Sequence, residues 1–385
     1  MAITIEVDGV EYEGFTNAEV EITLDTISGQ FNATSTTLNK KTFPFKIGQS
    51  CIVRVDNEQV ITGFIENISV NYDAENHEIH ISGRDKTCDV IDSSAPEKNE
   101  FQGDLSLKSI IEKILSNAGF SDIKVIDNVG NLTNFTKSEI SSAESGQRIF
   151  EYLKSIAEKK QVFLTTDGKG NIVISRSTGS GIEGILTGLD VEPVYIITLT
   201  SDPEEKNSNI LSGSVNYELQ ERFKTITIKS PENVAGSVNI EAFLNNTNSV
   251  DKKNFAIDSE NIRPQRKLTI VSEKSYTQEQ LKNRAEWEVN IRRIKSKTYS
   301  CIVQGHTRPD KNGIWRPDQL VKINDVFCDI SAILLINTVK FTQSLGDNQG
   351  SRTELSFIDK DAYKIEANKP ISEKKSNNTG FKFSI

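Results

Sequence analysis

The two closest histidines are the first residues whose type and spacing suggest chemistry. His77 and His80 are two of the three histidines in the chain and stand three positions apart beside a predicted strand. Successive side chains of a strand point to opposite faces, so positions i and i+3 do not converge on one metal ion. The pair is therefore predicted to lie at a surface or a turn.

Carboxylates form the second group of candidates. Asp85, Asp89 and Asp92 stand close together, and a pair of acids is what glycoside hydrolysis requires. The end of a polar strand is the simpler interpretation. Residues 167–171 begin like a calcium loop but lack the later acidic ligands, which favours a hairpin turn. The sequence thus predicts no catalytic residue, no cofactor and no metal ligand.

The third group lies on a long helix predicted to begin near residue 277 and to run to about 297. Four cations mark its end: Arg292, Arg293, Lys295 and Lys297. Cations interact favourably with the carboxyl end of a helix, and contact with an acidic partner or passing DNA is the alternative. Trp287, Ile291 and Ile294 follow helical spacing, which predicts that they form a core stripe.

Composition limits the function further. The 385 residues carry 45 Lys and Arg against 54 Asp and Glu, a formal net charge of −9. This balance argues against a general nucleic-acid coat, which needs a basic face. No run approaches the roughly 18 apolar residues of a membrane helix, and the amino terminus lacks the basic segment of a signal peptide. We therefore expect no membrane insertion.

Period-two patterns predict a mainly β fold. Residues 1–95 show alternating apolar positions and hairpin turns at Asp8-Gly9 and at Asp56-Asn57-Glu58, which indicates seven or eight short strands and a first small β-barrel domain. Residues 191–365 return to alternating patterns around the long helix and predict a second barrel. Thr277 and Gln280 form a capping box at the start of that helix.

A small α+β domain is predicted between the two β regions, at residues 96–190. Asp104 is a suitable N-cap for a helix through Ala118, and Ser141 with Glu144 forms a capping box before a second helix. A hairpin follows, and residues 177–188 have the composition of a linker. Residues 366–385 form a polar tail whose tip alternates apolar residues at Phe381, Phe383 and Ile385.

The two β regions resemble each other, which predicts an internal duplication. Four segments match in order: residues 52–57 with 320–325, Ile65 and Ile68 with Ile333 and Ile336, residues 78–81 with 354–357, and residues 31–38 with 299–306. Three chains of this kind in a ring would present six similar faces. Such a ring is one way for a trimer to dock on a six-fold partner.

Three motifs carry a resemblance to a known family. They are residues 81–95, which contain Gly83, Arg84 and Asp89; residues 263–268 followed by 284–288, with Arg263, Pro264 and Trp287; and residues 303–306 leading to 313–321, with Gly305, Trp315 and Pro317. In this order and spacing the chain resembles the baseplate hub proteins of Mu-like contractile-tailed phages, which are related to the late control D proteins. The likeness covers most of residues 1–363.

The resemblance implies a structural protein without an active site. Hubs of this family are homotrimers with two barrel-like domains per chain. They form a pseudo-six-fold ring around a central channel and join the six-fold tail tube, or its initiator, to the three-fold spike. Other baseplate proteins are further partners, and DNA only passes through. The implied location is the virion tail baseplate, after assembly in the host cytoplasm.

The resemblance also implies roles for the motif residues, all of them structural. Gly83 and Gly305 would permit tight turns, Arg84 would pair with a nearby carboxylate, and Trp315 with Pro317 would anchor the entry into a strand. The tail tip would add an edge strand to a neighbour or to the spike, and the spike itself would be a separate polypeptide.

Three alternatives to a phage hub stay open at this point. The same module would serve in a tailocin or another contractile injection system, where no DNA passes. A tail-associated glycan hydrolase would need a convergent pair of acids in a deep cleft. A carbohydrate-binding adhesin would need an exposed aromatic platform, whereas aromatic residues make up only 7% of this chain.

Overall fold

The computed structural model describes most of the chain between residues 2 and 360. The described ranges are 2–36, 45–73, 77–96, 101, 103–130, 132–137, 140, 142–160, 162–176, 197–202, 208–230, 252–258, 262–271, 278–311, 313–345 and 350–360. The predicted linker and the tail with Phe381, Phe383 and Ile385 lie outside these residues. The predicted domain boundaries after 95, 190 and 365 stay predictions.

The first β region contains seven strands. They are β1 (Ile3–Val7), β2 (Val10–Tyr12), β3 (Asn17–Thr23), β4 (Gln30–Thr36), β5 (Ser50–Val55), β6 (Glu58–Tyr72) and β7 (His77–Asp85). Both predicted hairpin turns occur: Asp8 and Gly9 join β1 to β2, while Asp56 and Asn57 join β5 to β6. All four have positive φ angles, between 49° and 77°, as the favoured two-residue hairpin turn requires.

The segment that follows is the predicted α+β unit. It comprises α1 (Cys88–Asp92), α2 (Leu107–Asn117), β8 (Val125–Asp127), α3 (Ile149–Glu158), β9 (Phe163–Thr166) and β10 (Ile172–Ser175). The N-cap of α2 is Ser106, whose hydroxyl accepts the N–H of Ser109, and not the predicted Asp104. The next helix has Arg148 as its N-cap, and not the predicted Ser141, which lies outside the described residues.

The rest of the described chain returns to β structure. It comprises β11 (Ile197–Thr200), β12 (Ile210–Tyr217), β13 (Thr225–Ser230), β14 (Lys252–Ile257), β15 (Lys267–Val271), α4 (Gln278–Lys295), β16 (Lys297–Gln304), β17 (Leu320–Asp325), β18 (Ile330–Ser344) and β19 (Gly350–Asp359). The predicted fold class, mainly β with an α+β insertion between two similar β regions, is confirmed.

The described residues divide into two compact units. One contains the residues up to 213 together with 300–360, and the other contains 214–299. In the first unit the α+β segment has its own core, in which α2 and α3 bury Ile110, Ile114, Leu153 and Ile156 completely. In the second unit Leu281, Ala285 and Val289 of α4 pack on Ile226 and Ile228 of β13.

A single large sheet joins the two β regions. Its order is β12-β16-β19-β18-β3-β4-β7-β6-β5-β1-β2, with β17 also beside β18 and β11 beside β17. The seam between the regions is the antiparallel pair of β3 and β18, in which Ile22 lies opposite Val339 and Val20 opposite Phe341. These four side chains are buried, so apolar packing and the backbone ladder hold the seam together.

The strand arrangement contains the predicted duplication. In the first copy β5, β6 and β7 form an antiparallel meander with β4 beside β7; in the second, β17, β18 and β19 form the same meander with β16 beside β19. Both long strands have 15 residues, and each has a bulge near its middle, between Ile65 and Asn67 or between Ile336 and Thr338.

The residue alignment predicted for the two copies is wrong by small shifts. The bulges make Ile65 equivalent to Ile336, and not to Ile333. From there the strand registers make Ser50 equivalent to Leu320 and Ile81 equivalent to Leu355, two residues away from the predicted matches. The shift is two residues in the flanking strands, which leaves their side chains on the same face, so the alternating pattern did not reveal it there. In the long strand the shift is three residues.

Gly83 differs from its predicted role, because it lies inside β7 and forms no turn. It stands opposite Ile65 at the bulge of β6. A Cβ atom on Gly83 would lie 2.0 Å from the carbonyl oxygen of Phe64 and 2.8 Å from the ring of Phe31. The glycine is therefore required by the close approach of a neighbouring backbone.

Replacing Gly83 with alanine should lower the free energy of unfolding by about 3 kcal/mol, because the new methyl group has to displace backbone. Chemical denaturation measures this change. Ser82→Ala is the matched control, since its side chain is half-exposed and its loss should cost less than about 0.5 kcal/mol. Equal stabilities of the two variants would contradict the close-approach argument.

A buried ion pair fixes the second unit. The guanidinium of Arg222 donates from Nε and Nη2 to one oxygen of Asp258, at 3.2 and 2.8 Å, and both side chains are almost completely buried. Arg266 donates to the backbone carbonyls of Gln220 and Arg222. This network ties the segment before β13 to the segment between β14 and β15.

Asp258→Ala should lower the free energy of unfolding by about 3–5 kcal/mol, because it leaves the Arg222 charge buried without its counter-ion. The control is Lys282→Ala, which removes the exposed pair of Lys282 with Glu286 and should cost less than about 1 kcal/mol. Chemical denaturation of both variants measures the two free energies of unfolding. If Asp258→Ala lowers the free energy of unfolding as little as Lys282→Ala does, the buried pair does not stabilise the second unit as argued.

Asp85 links the first β region to the α+β segment. It is fully buried, and one carboxylate oxygen accepts the hydroxyl of Thr166 while the other accepts the N–H of Thr87. Burial raises the pKa of Asp85 from 3.8 to about 6. The folded state thus holds this proton more tightly than the unfolded state does. The resulting stabilisation is complete below about pH 4 and is lost as the pH rises to about 6.

Asp85→Asn removes the titrating group, so the unfolding free energy of the variant should not fall through this group as the pH rises. Between pH 4 and pH 7 the unfolding free energy of the variant should therefore increase, relative to that of the unmodified protein, by up to about 3 kcal/mol. Denaturation at several pH values gives the difference. Asp89→Asn, an exposed neighbour, is the control. If the difference in unfolding free energy between Asp85→Asn and the unmodified protein does not depend on pH, the raised pKa of Asp85 is contradicted.

Candidate functional site

The candidate functional surface in the described part of the chain is one face of the large sheet. Along β3, Ala18, Val20 and Ile22 point into the core, and the residues between them point outward. Strand registers place polar side chains beside one another across six strands. We call this surface the polar face and define it by fourteen residues: Asn17, Glu19, Glu21, Gln30, Asn32, Thr34, Asn67, His80, Ser82, Arg84, Lys340, Thr342, Arg352 and Glu354.

One row of the polar face shows that it crosses the seam. Moving from β19 to β6, the residues directly opposite one another are Arg352, Thr342, Glu19, Asn32, Ser82 and Asn67. Directly opposite residues of antiparallel strands share a face. The row is therefore an unbroken polar band shared by both copies of the repeat.

The polar face is balanced in charge and held by contacts within itself. Lys340 pairs with Glu19 across the seam at 3.2 Å, and the hydroxyl of Thr34 lies 2.9 Å from Nδ1 of His80. Three carboxylates face three cations, with His80 in addition. An open groove of about 320 Å³ runs over it between Asn17 and Asn67. A surface of this kind offers no strong electrostatic site to a polyanion.

Arg84 lies at the edge of the polar face, next to the Gly83 bulge. It bridges Glu66 of β6 and Asp92 of α1, each at 2.6 Å. The hydrogen bonds from Arg84 lower the pKa of Glu66 and the pKa of Asp92 and raise the pKa of the guanidinium. The pairing fixes α1 against the bulge, so the residue orders the backbone and does not present a free cation.

The aspartates considered as a hydrolase pair lie in three different environments. Asp85 is buried between Thr87 and Thr166, Asp89 is exposed on α1, and Asp92 pairs with Arg84. They do not flank one cleft. Across the described ranges no three side chains of the His, Cys, Asp and Glu types are arranged to hold a metal ion, and no helix there is long and apolar enough to cross a membrane.

The second motif lies in the second unit. Arg263 and Pro264 are exposed in the turn before β15. Trp287 is half-buried on α4, and its ring centre lies 4.6 Å from the guanidinium carbon of Arg284. Ile291 is half-buried as well, so the predicted core positions at these two residues are wrong; the side chain of Ile294 lies outside the described residues. The helix buries Leu281, Ala285 and Val289, and a position two residues after Ala285 points to the other side.

The cationic end of α4 is partly paired. Arg292 reaches Glu221 at 2.8 Å and Glu288 at 3.3 Å. Its guanidinium also lies 5.5 Å from the centre of the Phe223 ring. These contacts favour the structural interpretation of this cation over contact with DNA.

The third motif connects the two copies of the repeat. Gly305 has a φ of 75° where β16 ends, Trp315 is buried, and Pro317 lies in the turn before β17. Between them, the N–H of Ile314 and the guanidinium of Arg316 both bind Glu58, at 3.0 and 2.9 Å. The motif therefore holds the β5–β6 hairpin of the first copy.

Sequence reasoning found the alternating strands but missed the polar face. The signal was present in residues 17–23, where charged and apolar residues alternate. The polar face forms only because β3 pairs with β18, which lies more than 300 residues away in the sequence. No local sequence pattern predicts the register of that pairing.

Comparison with known proteins agrees with this architecture. Residues 2–85 match the family "Mu phage baseplate assembly protein GpP-like, N-terminal", residues 87–176 match "Baseplate hub protein gp44-like, second domain", and residues 277–366 match "Mu phage baseplate assembly protein GpP, fourth domain". These ranges correspond to the first β region, the α+β segment and the last part of the second β region.

Whole-chain relatives give the same result. The chain is 22% identical to baseplate hub protein gp44 of Escherichia phage Mu, over 98% of this chain and 92% of that protein. It is 26% identical to the 43 kDa tail protein of prophage MuSo2 from Shewanella oneidensis, with a TM-score of 0.73 over 95% of this chain and all of that one.

A tail protein from Neisseria meningitidis MC58 shares the fold, with 20% identity and a TM-score of 0.73 over 94% of this chain and 97% of that one. Three domain matches in order, a hub relative along nearly the whole chain and a common fold all agree. The chain belongs to the Mu-like family of phage tail baseplate hub proteins.

Proposed function

We propose that three copies of this chain form a ring around a central channel, and that the ring adapts a six-fold tail tube to a three-fold spike. The observation that carries this proposal is the duplicated β module. Each chain contributes two copies of one strand arrangement, joined edge to edge by β3 and β18. Three chains then supply six similar modules, which is the number that a six-fold partner needs for equivalent contacts.

The polar face is the surface that would line the channel. Its side chains are mostly short or paired, as Lys340 is with Glu19, and the chain as a whole carries a net charge of −9. A wall without unpaired cations lets DNA pass without being held. The opposite side of the same strands is buried in the core, which makes the wall rigid.

The proposed partners follow from this position in the baseplate. They are other copies of the chain, the tail tube or its initiator, the central spike, and neighbouring baseplate proteins. DNA is a partner only in transit. The proposed role is structural, without catalysis or cofactor, and assembly is proposed to take place in the host cytoplasm before the hub enters the virion.

The tail tip at Phe381, Phe383 and Ile385 stays a prediction as a strand donor to a neighbour or to the spike. A hub in a tailocin or another contractile injection system is the alternative, and it differs only in whether DNA passes. A glycan hydrolase finds no support in the placement of Asp85, Asp89 and Asp92.

Native mass spectrometry with negative-stain electron microscopy tests the proposal. The purified chain, alone or with a candidate spike protein, should give the mass of three copies and end-on views with six similar lobes around a hole. The chain alone, at low concentration, provides the monomer reference. A monomer or an unrelated stoichiometry under both conditions would contradict the trimeric adaptor.

A further inference from the structure

The three-stranded sheet of the second unit has two faces of different chemistry. Its order is β14-β13-β15, with β13 antiparallel to β14 and parallel to β15. Helix α4 packs on one face, where Ile226 and Ile228 are buried. Successive side chains of a strand point to opposite faces, so the residues that alternate with these two point away from the helix.

The strand registers give the composition of this outward surface, which we call the lysine face. Residues that lie beside one another across the three strands form rows on a common face. Read from β14 across β13 to β15, the three rows are Ile257, Thr225 and Lys267; Phe255, Thr227 and Thr269; and Lys253, Lys229 and Val271.

Charge is the first unusual property of the lysine face. It carries three lysines and no carboxylate, although acids outnumber bases by 54 to 45 in the whole chain. In the part of the chain that the structure describes, none of these lysines forms an ion pair. The acid that follows Ile257, Asp258, is buried and paired with Arg222. The positive charge of the face is therefore not neutralised within the described chain, and it complements an acidic partner.

Exposed apolar side chains are the second unusual property. Phe255 is 57% exposed, Ile257 58% and Val271 48%. Phe255 and Ile257 are neighbours on the same side of β14, and each lies beside a threonine of β13. Aromatic and β-branched side chains on a pleated surface pack well against a second surface. The lysine face thus suits a protein surface on which carboxylates accompany apolar residues.

The apolar side chains favour protein over nucleic acid as the occupant. Protein–DNA interfaces are more polar and much more basic than protein–protein interfaces, whereas cations make up only three of the nine side chains here. Phe255 is the single aromatic residue among the nine, so successive bases find no row of rings on which to stack. The polar face of the first unit is balanced in charge and supplies no acidic counterpart, which favours a separate protein over a second copy of this chain.

We propose that the lysine face docks a separate acidic protein of the tail. Carboxylates of that protein pair with the three lysines, and its apolar side chains cover Phe255 and Ile257. The inference rests on the proposed place of the chain in the baseplate and gives a surface to one neighbouring baseplate protein. Three strands of five residues span only roughly 14 by 17 Å, well below the area of a standard interface. Three copies of the face in one ring strengthen the contact through avidity, so it is best measured in assembled tails.

Zero-length cross-linking in purified tails tests the docking. A water-soluble carbodiimide joins an amine to a carboxylate only where the two groups touch, so it is a direct probe of the proposed ion pairs. We expect at least two of Lys229, Lys253 and Lys267 to be joined to aspartates or glutamates of one other tail protein, identified by mass spectrometry of the linked peptides. Lys282 is exposed on α4, on the other side of the sheet, and as the internal control it should form no link to that protein.

Charge reversal gives an independent readout. Replacing all three lysines of the face with glutamate should lower the amount of the linked protein that co-purifies with the hub at least about tenfold, because attraction becomes repulsion. The matched control makes the same change in net charge at three exposed lysines of the α+β segment: Lys124, Lys154 and Lys169. It should leave the amount of that protein unchanged. If the reversed variant fails to fold, cross-linking of the unmodified protein decides alone.

Three results would overturn the inference and leave the trimeric hub intact. The first is the absence of any link from the three lysines to another tail protein. The second is a link to a second copy of this chain, which mixing of isotopically labelled and unlabelled protein reveals. The third is binding of duplex DNA, measured by fluorescence anisotropy, that the triple reversal abolishes while no protein link forms. Purified tails that lack the chain altogether would overturn the proposed function as well.

Discussion

The architecture depends on one antiparallel seam, the pairing of β3 with the second half of β18. It turns two copies of a β module into one sheet and brings residues more than 300 positions apart into direct register. The buried side of the seam is apolar, through Val20, Ile22, Val339 and Phe341. Its outer side carries the Lys340–Glu19 pair, which makes the polar face continuous from one copy to the other.

The bulges explain how one long strand serves two neighbours. An extra residue bends a strand and increases its twist, so β18 leaves β17 and meets β3 within 15 residues. At the matching bulge of β6, Gly83 lets the backbones approach, and Arg84 ties Glu66 to α1. The same local device thus sets the direction of the long strand and the position of the α+β segment.

Much of the fold was predictable from the sequence, and what was not predictable has identifiable causes. Alternation gave the strands, the turns at Asp8-Gly9 and Asp56-Asn57, and the duplication. The alignment of the flanking strands was off by two because a period-two pattern is unchanged by that shift, and the alignment of the long strand was off by three. The partners Arg222 and Asp258 stand 36 residues apart and have no local signal. Trp287 was predicted to lie in the core because large aromatic side chains are often buried there. In the structure the guanidinium of Arg284 lies over its ring.

The polar face shows why family motifs alone do not locate function. Gly83 marks a point where backbones approach, and Gly305 and Trp315 lie between the end of β16 and the start of β17, so all three hold the scaffold. The surface proposed to face the channel is made of residues such as Asn32, Thr34 and Ser82, which are unremarkable one at a time. Only the strand registers show that they form one band.

The most direct test of the account is a cryo-electron microscopy map of the assembled hub, in which the six β modules can be superimposed. The account predicts that one rotation, of about 60° around the channel axis, relates the two modules of a chain and also relates the last module of one chain to the first module of the next. Clearly unequal rotations, or polar faces turned away from the axis, would contradict it.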